Sequence, residues 1–119
     1  MGLFSKLFSS KNNVLKGPPA QEVVVHFFYG STNLQHMFAL EDLIRNSIIE
    51  AAVGGYDGHE VADDGSDGFF YMYGPDAEAL YRVISPLLAE SPFMRDATVT
   101  LWFGPCQRGT QKRVIELPT

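Results

Sequence analysis

The stretch GFFYMYGPDAEALYRVISPLL, residues 68–88, decides the fold. Its first six residues are rich in aromatic side chains and predict a buried β-strand. Asp76 follows a Gly-Pro turn and is well suited to cap a helix, because its carboxylate can accept from backbone N–H groups of the first turn. The helix itself is indicated by an apolar stripe at Ala77, Leu80, Ile84 and Leu88. Pro86 conflicts with this helix, so we expect a kink there or a restart with Ser85 as the cap.

An earlier stretch repeats the same plan. Val23 to Tyr29 predicts a central strand, and residues 31–33 (Ser, Thr, Asn) are all favoured helix caps. An apolar stripe then predicts a helix that ends at Gly54-Gly55, where glycine would supply the left-handed cap. A shift of 44 positions lays Tyr29-Gly30 on Tyr73-Gly74 and also superposes the two stripes. The stripe residues of this earlier helix are Met37, Leu40, Ile44, Ile48 and Ala51.

The remaining segments complete a recognisable element order. Tyr56 to Asp64 predicts a short polar edge strand, followed by a turn rich in Asp and Gly. Ala97 to Phe103 alternates as a half-buried strand, and Lys112 to Leu117 can return as an antiparallel edge strand. The order β, α, β, β, α, β with an added β predicts an α+β fold, a ferredoxin-like βαββαβ sandwich with an extra C-terminal β-strand. Two helices would cover one face of a mostly antiparallel sheet.

The chain divides into an N-terminal segment and linker, residues 1–20, and a single ferredoxin-like domain, residues 21–119. Leu3, Phe4, Leu7 and Phe8 fall at helical spacing and predict a short amphipathic helix. Gly17-Pro18-Pro19 marks the linker. Such a short apolar face favours a tail that folds back on its own domain or on a neighbouring copy over a membrane-surface anchor.

Charge and cysteine content narrow the classes of partner. The net charge of -5 and the pI near 5.0 disfavour nucleic acid, whose binding depends on clustered Lys and Arg, and suit a basic protein better. The sequence 67–71 (Asp-Gly-Phe-Phe-Tyr) also departs from the RNA-recognition signature, which begins with a basic residue. The lone Cys106 and the lack of a membrane-span or signal pattern predict a cytoplasmic protein.

The sheet face opposite the helices is predicted to be an interface. Strand parity sends either Phe69, Tyr71 and Tyr73 or Phe70 and Met72 outward, and on the last core strand we expect Trp102, Thr98 and Thr100 to face outward. Either parity leaves large apolar side chains uncovered, which is typical of a contact surface. We therefore expect a homodimer or another protein partner on this face, aided by the N-terminal segment, with Tyr71, Tyr73 and Trp102 as binding residues.

The densest polar cluster lies on the predicted edge strand. Asp57, His59 and Glu60 offer carboxylates and an imidazole, the ligand types of a metal or small-molecule site. A solvated hairpin edge explains the same residues without a ligand, and we favour that interpretation. His26, His36 and Cys106 have no neighbours in sequence that indicate a triad, so we predict no catalytic residues, no metal ligands and no cofactor.

The residues 55–60 (GYDGHE) and 73–80 (YGPDAEAL) resemble a group of small, uncharacterised bacterial proteins with a YDGxE…YGPDAxxL pattern. The likeness covers Val23 to Gly104 and implies no activity, since none is assigned to the group. It does imply a role for Asp57, Gly58 and Glu60 beyond a turn. We therefore expect a non-enzymatic protein-binding module that self-associates through the sheet face, the alternative being an enzyme that binds a small molecule or metal at the Asp57, His59 and Glu60 edge.

Overall fold

The computed structural model describes residues 20–119. The predicted amphipathic helix at Leu3 to Phe8 and the linker at Gly17 to Pro19 lie outside the described residues. The described elements, in chain order, are β1 (Gln21–Phe27), α1 (Gln35–Ala51), β2 (Gly55–Val61), β3 (Gly68–Gly74), α2 (Ala77–Ala89), a 3-10 helix (Pro92–Met94), β4 (Thr98–Trp102) and β5 (Lys112–Glu116).

The strands form one five-stranded sheet in the order β2-β3-β1-β4-β5, and all four neighbouring pairs are antiparallel. The first four strands have the βαββαβ order of a ferredoxin-like sandwich, and β5 extends the sheet beside β4. Both helices pack on one face, where their buried residues join the inward side chains of β1, β3 and β4 in one core. The predicted fold class is confirmed. No helix within residues 20–119 combines the length and apolar character needed to cross a membrane.

The stretch 68–88 folds as its pattern indicates. In β3 the even-numbered residues are buried, including Phe70 and Met72. The Asp76 Oδ1 accepts from the N–H groups of Glu78 (3.0 Å) and Ala79 (3.2 Å), a cap that contributes about 1 kcal/mol. These bonds fix the start of α2 directly after the turn that ends β3.

The helix α2 does not restart at Ser85, so that alternative is wrong, and the kink at Pro86 stays a prediction. It continues through Pro86 to Ala89 as one element. An interior proline costs about 3 kcal/mol, and full burial of a leucine returns about 1.5–3 kcal/mol. Leu88 is 1% exposed in the turn that contains Pro86. Burial of the apolar stripe therefore holds the last turn helical.

The predicted glycine cap of α1 is also wrong. Ala52 takes the left-handed conformation (φ 55°, ψ 41°), and its N–H bonds to the carbonyls of Ile48 and Ile49. Gly55 already belongs to β2. Gly54 is needed for another reason: at φ 151° it lies so close to β3 that a Cβ would stand 2.0 Å from the Tyr73 carbonyl oxygen. The two glycines are thus needed where the chain passes from α1 to β2 close against β3. The helix cap is Ala52, two residues before Gly54.

The start of α1 lies slightly later than its cap residues indicate. The helix begins at Gln35, whose N–H bonds to the Asn33 Oδ1 (3.2 Å), while Ser31 Oγ accepts from the Asn33 N–H (3.0 Å). The predicted stripe is buried at Met37, Leu40, Ile44 and Ile48, but Ala51 is exposed. The first strand spans Gln21–Phe27 and lies in the middle of the sheet, as predicted, although it begins and ends two residues early.

Candidate functional site

One face of the sheet carries no helix formed by residues 20–119, and we call it the open face. Its centre is set by the register: Val24 on β1 lies between Tyr71 on β3 and Thr100 on β4. Because cross-strand partners share a face, the rest of the face follows from the pairing. Its outward side chains on the three middle strands are Glu22, Val24, His26, Phe69, Tyr71, Tyr73, Thr98, Thr100 and Trp102. The outward position predicted for Trp102, Thr98 and Thr100 is confirmed.

A row of rings crosses the open face at one end. The His26 ring stacks on Phe69, with centroids 4.4 Å apart and an interplanar angle of 11°, and Phe28 lies 4.9 Å from His26. Phe69 is in turn parallel to Tyr71, at 6.0 Å and 13°. The His26 Nε2 lies 2.8 Å from the Asp67 Oδ2, which orients the imidazole. The end of β1 and the start of β3 therefore present a group of ordered aromatic rings.

Two predicted binding residues, Tyr71 and Tyr73, lie on β3 beside the edge strand β2. The Tyr71 hydroxyl donates to the Glu60 Oε1 at 2.5 Å. Partial burial raises the pKa of Tyr71, and the hydrogen bond to Glu60 raises it further. Tyr73 pairs with Gly55 and covers it, since a Cβ on that glycine would stand 2.5 Å from the Tyr73 hydroxyl oxygen. Both rings are thus held in place across the β2–β3 pair.

On the opposite side of the open face, Trp102 on β4 lies beside the edge strand β5. The Lys112 Nζ lies 4.9 Å from the centroid of the Trp102 ring, a cation–π contact between cross-strand partners. Val114, which pairs with Thr100, is 49% exposed. The open face therefore carries large side chains on both sides of its centre, where the smaller Val24 and Thr100 lie.

The predicted set Asp57, His59 and Glu60 is divided by the geometry of β2. The register shifts between Tyr56 and Gly58, so Asp57 occupies a β-bulge. His59 pairs with the buried Phe70 on the helix side, whereas Glu60 pairs with Phe69 on the open face. Only Glu60 thus joins Tyr71, Tyr73 and Trp102 on one surface. Among residues 20–119, no group of three or more His, Cys, Asp or Glu side chains could hold a metal ion.

His59 belongs to a polar cluster between β2 and α1. The Glu41 Oε2 accepts from the Tyr56 hydroxyl at 2.5 Å and lies 2.6 Å from the His59 Nδ1. Glu41 is 6% exposed, and the Arg45 guanidinium lies 5.1 Å from the centroid of the Tyr56 ring. Two donors on one oxygen compensate for much of the cost of burying this carboxylate. Glu41 was not among the residues predicted from the sequence, although its spacing of four after Met37 and three before Ile44 already places it on the buried stripe.

Tyr56→Phe is expected to make the protein less sensitive to alkali. Burial raises the pKa of Tyr56 above its ordinary value of 10, and the neighbouring Glu41 adds to the shift. The stability this gives is complete below about pH 10 and is lost as pH rises, because the unfolded tyrosine ionises first, at about 1.4 kcal/mol per pH unit. Urea unfolding at pH 9 and pH 11 measures the slope. An equally steep loss in the variant would contradict this assignment.

A groove of about 630 Å³ lies on the helix side, between the start of α1 and the 3-10 helix. Its walls include Tyr29, His36, Leu43 and Phe93. It contains none of the residues predicted from the sequence to bind. The candidate site therefore remains the open face, where four of those six residues meet.

Comparison with known proteins adds little to this description. No family model matches the chain, and no curated protein matches it. Among solved structures, it is similar to a chain in a crystal structure of a complex of TiaS with a tRNA, AMPCPP and agmatine, with 13% identity and a TM-score of 0.45. The match covers 68% of this chain but only 22% of that one. A likeness this distant carries no argument about function.

Proposed function

We propose that this protein is a non-enzymatic, cytoplasmic protein-binding module that self-associates, two copies meeting through the open face. The observation that carries the proposal is the ordered row of rings on that face, from Phe28 through His26 and Phe69 to Tyr71. Aromatic side chains give large contact area at low cost in side-chain entropy, and they dominate the energetics of many interfaces. We also propose that the protein is bacterial, as its resemblance to proteins with the YDGxE pattern implies.

The size of the open face suits a weak, reversible dimer. Five strands about 4.8 Å apart, with residues rising about 3.3 Å each, give a face of roughly 20 Å by 20 Å. A face of this span is smaller than a standard interface, which buries roughly 800 Å² of accessible surface per partner. The association is therefore expected to depend strongly on protein concentration.

The negative charge of the open face also indicates which kind of partner it can bind. Glu22, Glu60, Asp67 and Glu116 lie on or beside the open face, against the cation Lys112. Two acidic faces repel each other, and this repulsion weakens as salt screens it. The same carboxylates disfavour a nucleic-acid partner and would attract a basic one.

Raising the salt concentration is therefore expected to strengthen the dimer. Sedimentation velocity at about 50 mM and about 500 mM NaCl spans Debye lengths from about 14 Å to about 4 Å. The dimer fraction should rise between the two. A dimer that dissociates as salt is added would contradict an interface between two acidic faces.

The enzyme alternative has less support. A metal or small-molecule site at Asp57, His59 and Glu60 would require those side chains to converge, whereas His59 and Glu60 point to opposite faces of β2. His59 is also engaged by the buried Glu41.

A further inference from the structure

The charges of the chain are divided unevenly along its length. The N-terminal segment, residues 1–20, contains Lys6, Lys11 and Lys16 and no acidic residue, so all 14 Asp and Glu residues lie in the domain that follows. The segment also contains the apolar side chains Leu3, Phe4, Leu7 and Phe8. The N-terminal segment thus combines apolar side chains with positive charge, and an aromatic, acidic surface such as the open face would bind both.

The open face offers the complementary groups. Its rings His26, Phe69 and Tyr71 form the apolar part. Glu60 lies beside these rings through the Tyr71 hydroxyl, and Asp67 through the His26 imidazole. A basic segment would be attracted to this face, whereas a second acidic copy is repelled by it.

The N-terminal segment and the open face are close enough along the chain for the segment to bind the face of its own chain. The N-terminal segment leads directly into β1, the middle strand of the sheet, where Glu22 is the first residue on the open face. Twelve residues, 9–20, can span up to about 40 Å when extended, and the face measures about 20 Å across. The segment therefore reaches the whole face, and its tethering gives it a high effective concentration there.

We propose that the N-terminal segment docks on the open face of its own chain and so competes with the second copy, instead of aiding that contact as expected from the sequence. This inference rests on the proposed function, because it regulates the same surface. Apolar contacts of Phe4 and Leu7 with the rings, together with attraction of the lysines to the carboxylates, hold the segment in place. Dimer formation then requires both copies to release their segments.

The single tryptophan of the chain, Trp102, is the cross-strand partner of Glu22, where the N-terminal segment enters the open face, so a segment that runs from there to the rings passes beside it. In the full-length chain, Phe4→Ser/Leu7→Ser is expected to increase acrylamide quenching of Trp102 at dilute protein, where the monomer prevails. If the segment covers about 70% of chains, uncovering both copies also tightens the dimer about tenfold. The matched control is Leu43→Ser/Ile49→Ser, which removes two exposed apolar side chains from α1 (53% and 64% exposed) and should change neither quantity.

The outcomes separate this inference from the proposed function. Increased quenching with a tighter dimer supports both. Unchanged quenching in a protein that dimerises through the open face overturns the docking of the segment and leaves the dimer intact. Increased quenching in a protein that stays monomeric at every concentration supports docking of the segment and overturns self-association.

Discussion

Thr100→Glu is expected to convert the protein to a monomer. Thr100 lies on β4 beside Val24, near the centre of the open face, so a symmetric dimer would place the two new carboxylates close together. Like charges opposed across an interface cost several kcal/mol, and each 1.4 kcal/mol is a factor of ten. The dissociation constant should therefore rise about 100-fold or more, as measured by sedimentation equilibrium.

Asn46→Glu is the matched control for this variant. Asn46 is exposed on α1, in the layer opposite the open face. The Asn46→Glu substitution adds the same charge to the chain and should leave the dissociation constant of the dimer nearly unchanged. Equal weakening by both variants would mean that net charge, and not the open face, governs association. Thermal unfolding of both proteins shows whether either substitution has disturbed the fold.

Phe70→Ala is expected to cause the largest loss of stability. Phe70 is fully buried on β3, and its ring lies 4.6 Å from Phe27 and 6.0 Å from Tyr56. Truncation of a buried phenylalanine costs about 3–5 kcal/mol, through lost burial and the cavity that remains. Since a domain is typically stable by about 5–15 kcal/mol, the variant should unfold at much lower urea concentration.

Phe69, the preceding residue in the chain, provides the matched comparison for Phe70. Phe69→Ala makes the same chemical change one position earlier, on the open face, where the ring is half-buried. We expect a loss of about 1 kcal/mol in the free energy of unfolding, together with weaker association. Equal destabilisation by the two substitutions would contradict the assignment of Phe70 to the core and Phe69 to the open face.

Local patterns were sufficient to predict the fold because burial follows periodicity. The aromatic strand and the Asp76 cap predicted β3 and the start of α2, and the element order predicted a ferredoxin-like sandwich. The internal shift of 44 residues superposes buried Leu40 on buried Ile84. It fails at Leu43, which is 53% exposed where its counterpart Leu87 is half-buried.

The candidate site depended in part on strand alternation, which the sequence contains, and in part on contacts that sequence spacing does not contain. The adjacency of His59 and Glu60 in sequence suggested one site, but alternation along a strand sends neighbours to opposite faces. The bond between Glu41 and His59 joins residues 18 positions apart across two elements, and that between His26 and Asp67 joins residues 41 apart. Likewise, the left-handed Ala52 could not be foreseen beside two glycines, because the choice depended on the close approach of Gly54 to Tyr73.

The solution mass of the wild-type chain, measured against protein concentration, tests self-association most directly. Sedimentation equilibrium from about 5 μM to about 500 μM covers the range expected for a weak dimer. The account predicts a mass that rises from the 13.2 kDa of one chain toward twice that value. A mass that stays at one chain throughout this range, at low and at high salt, would contradict it.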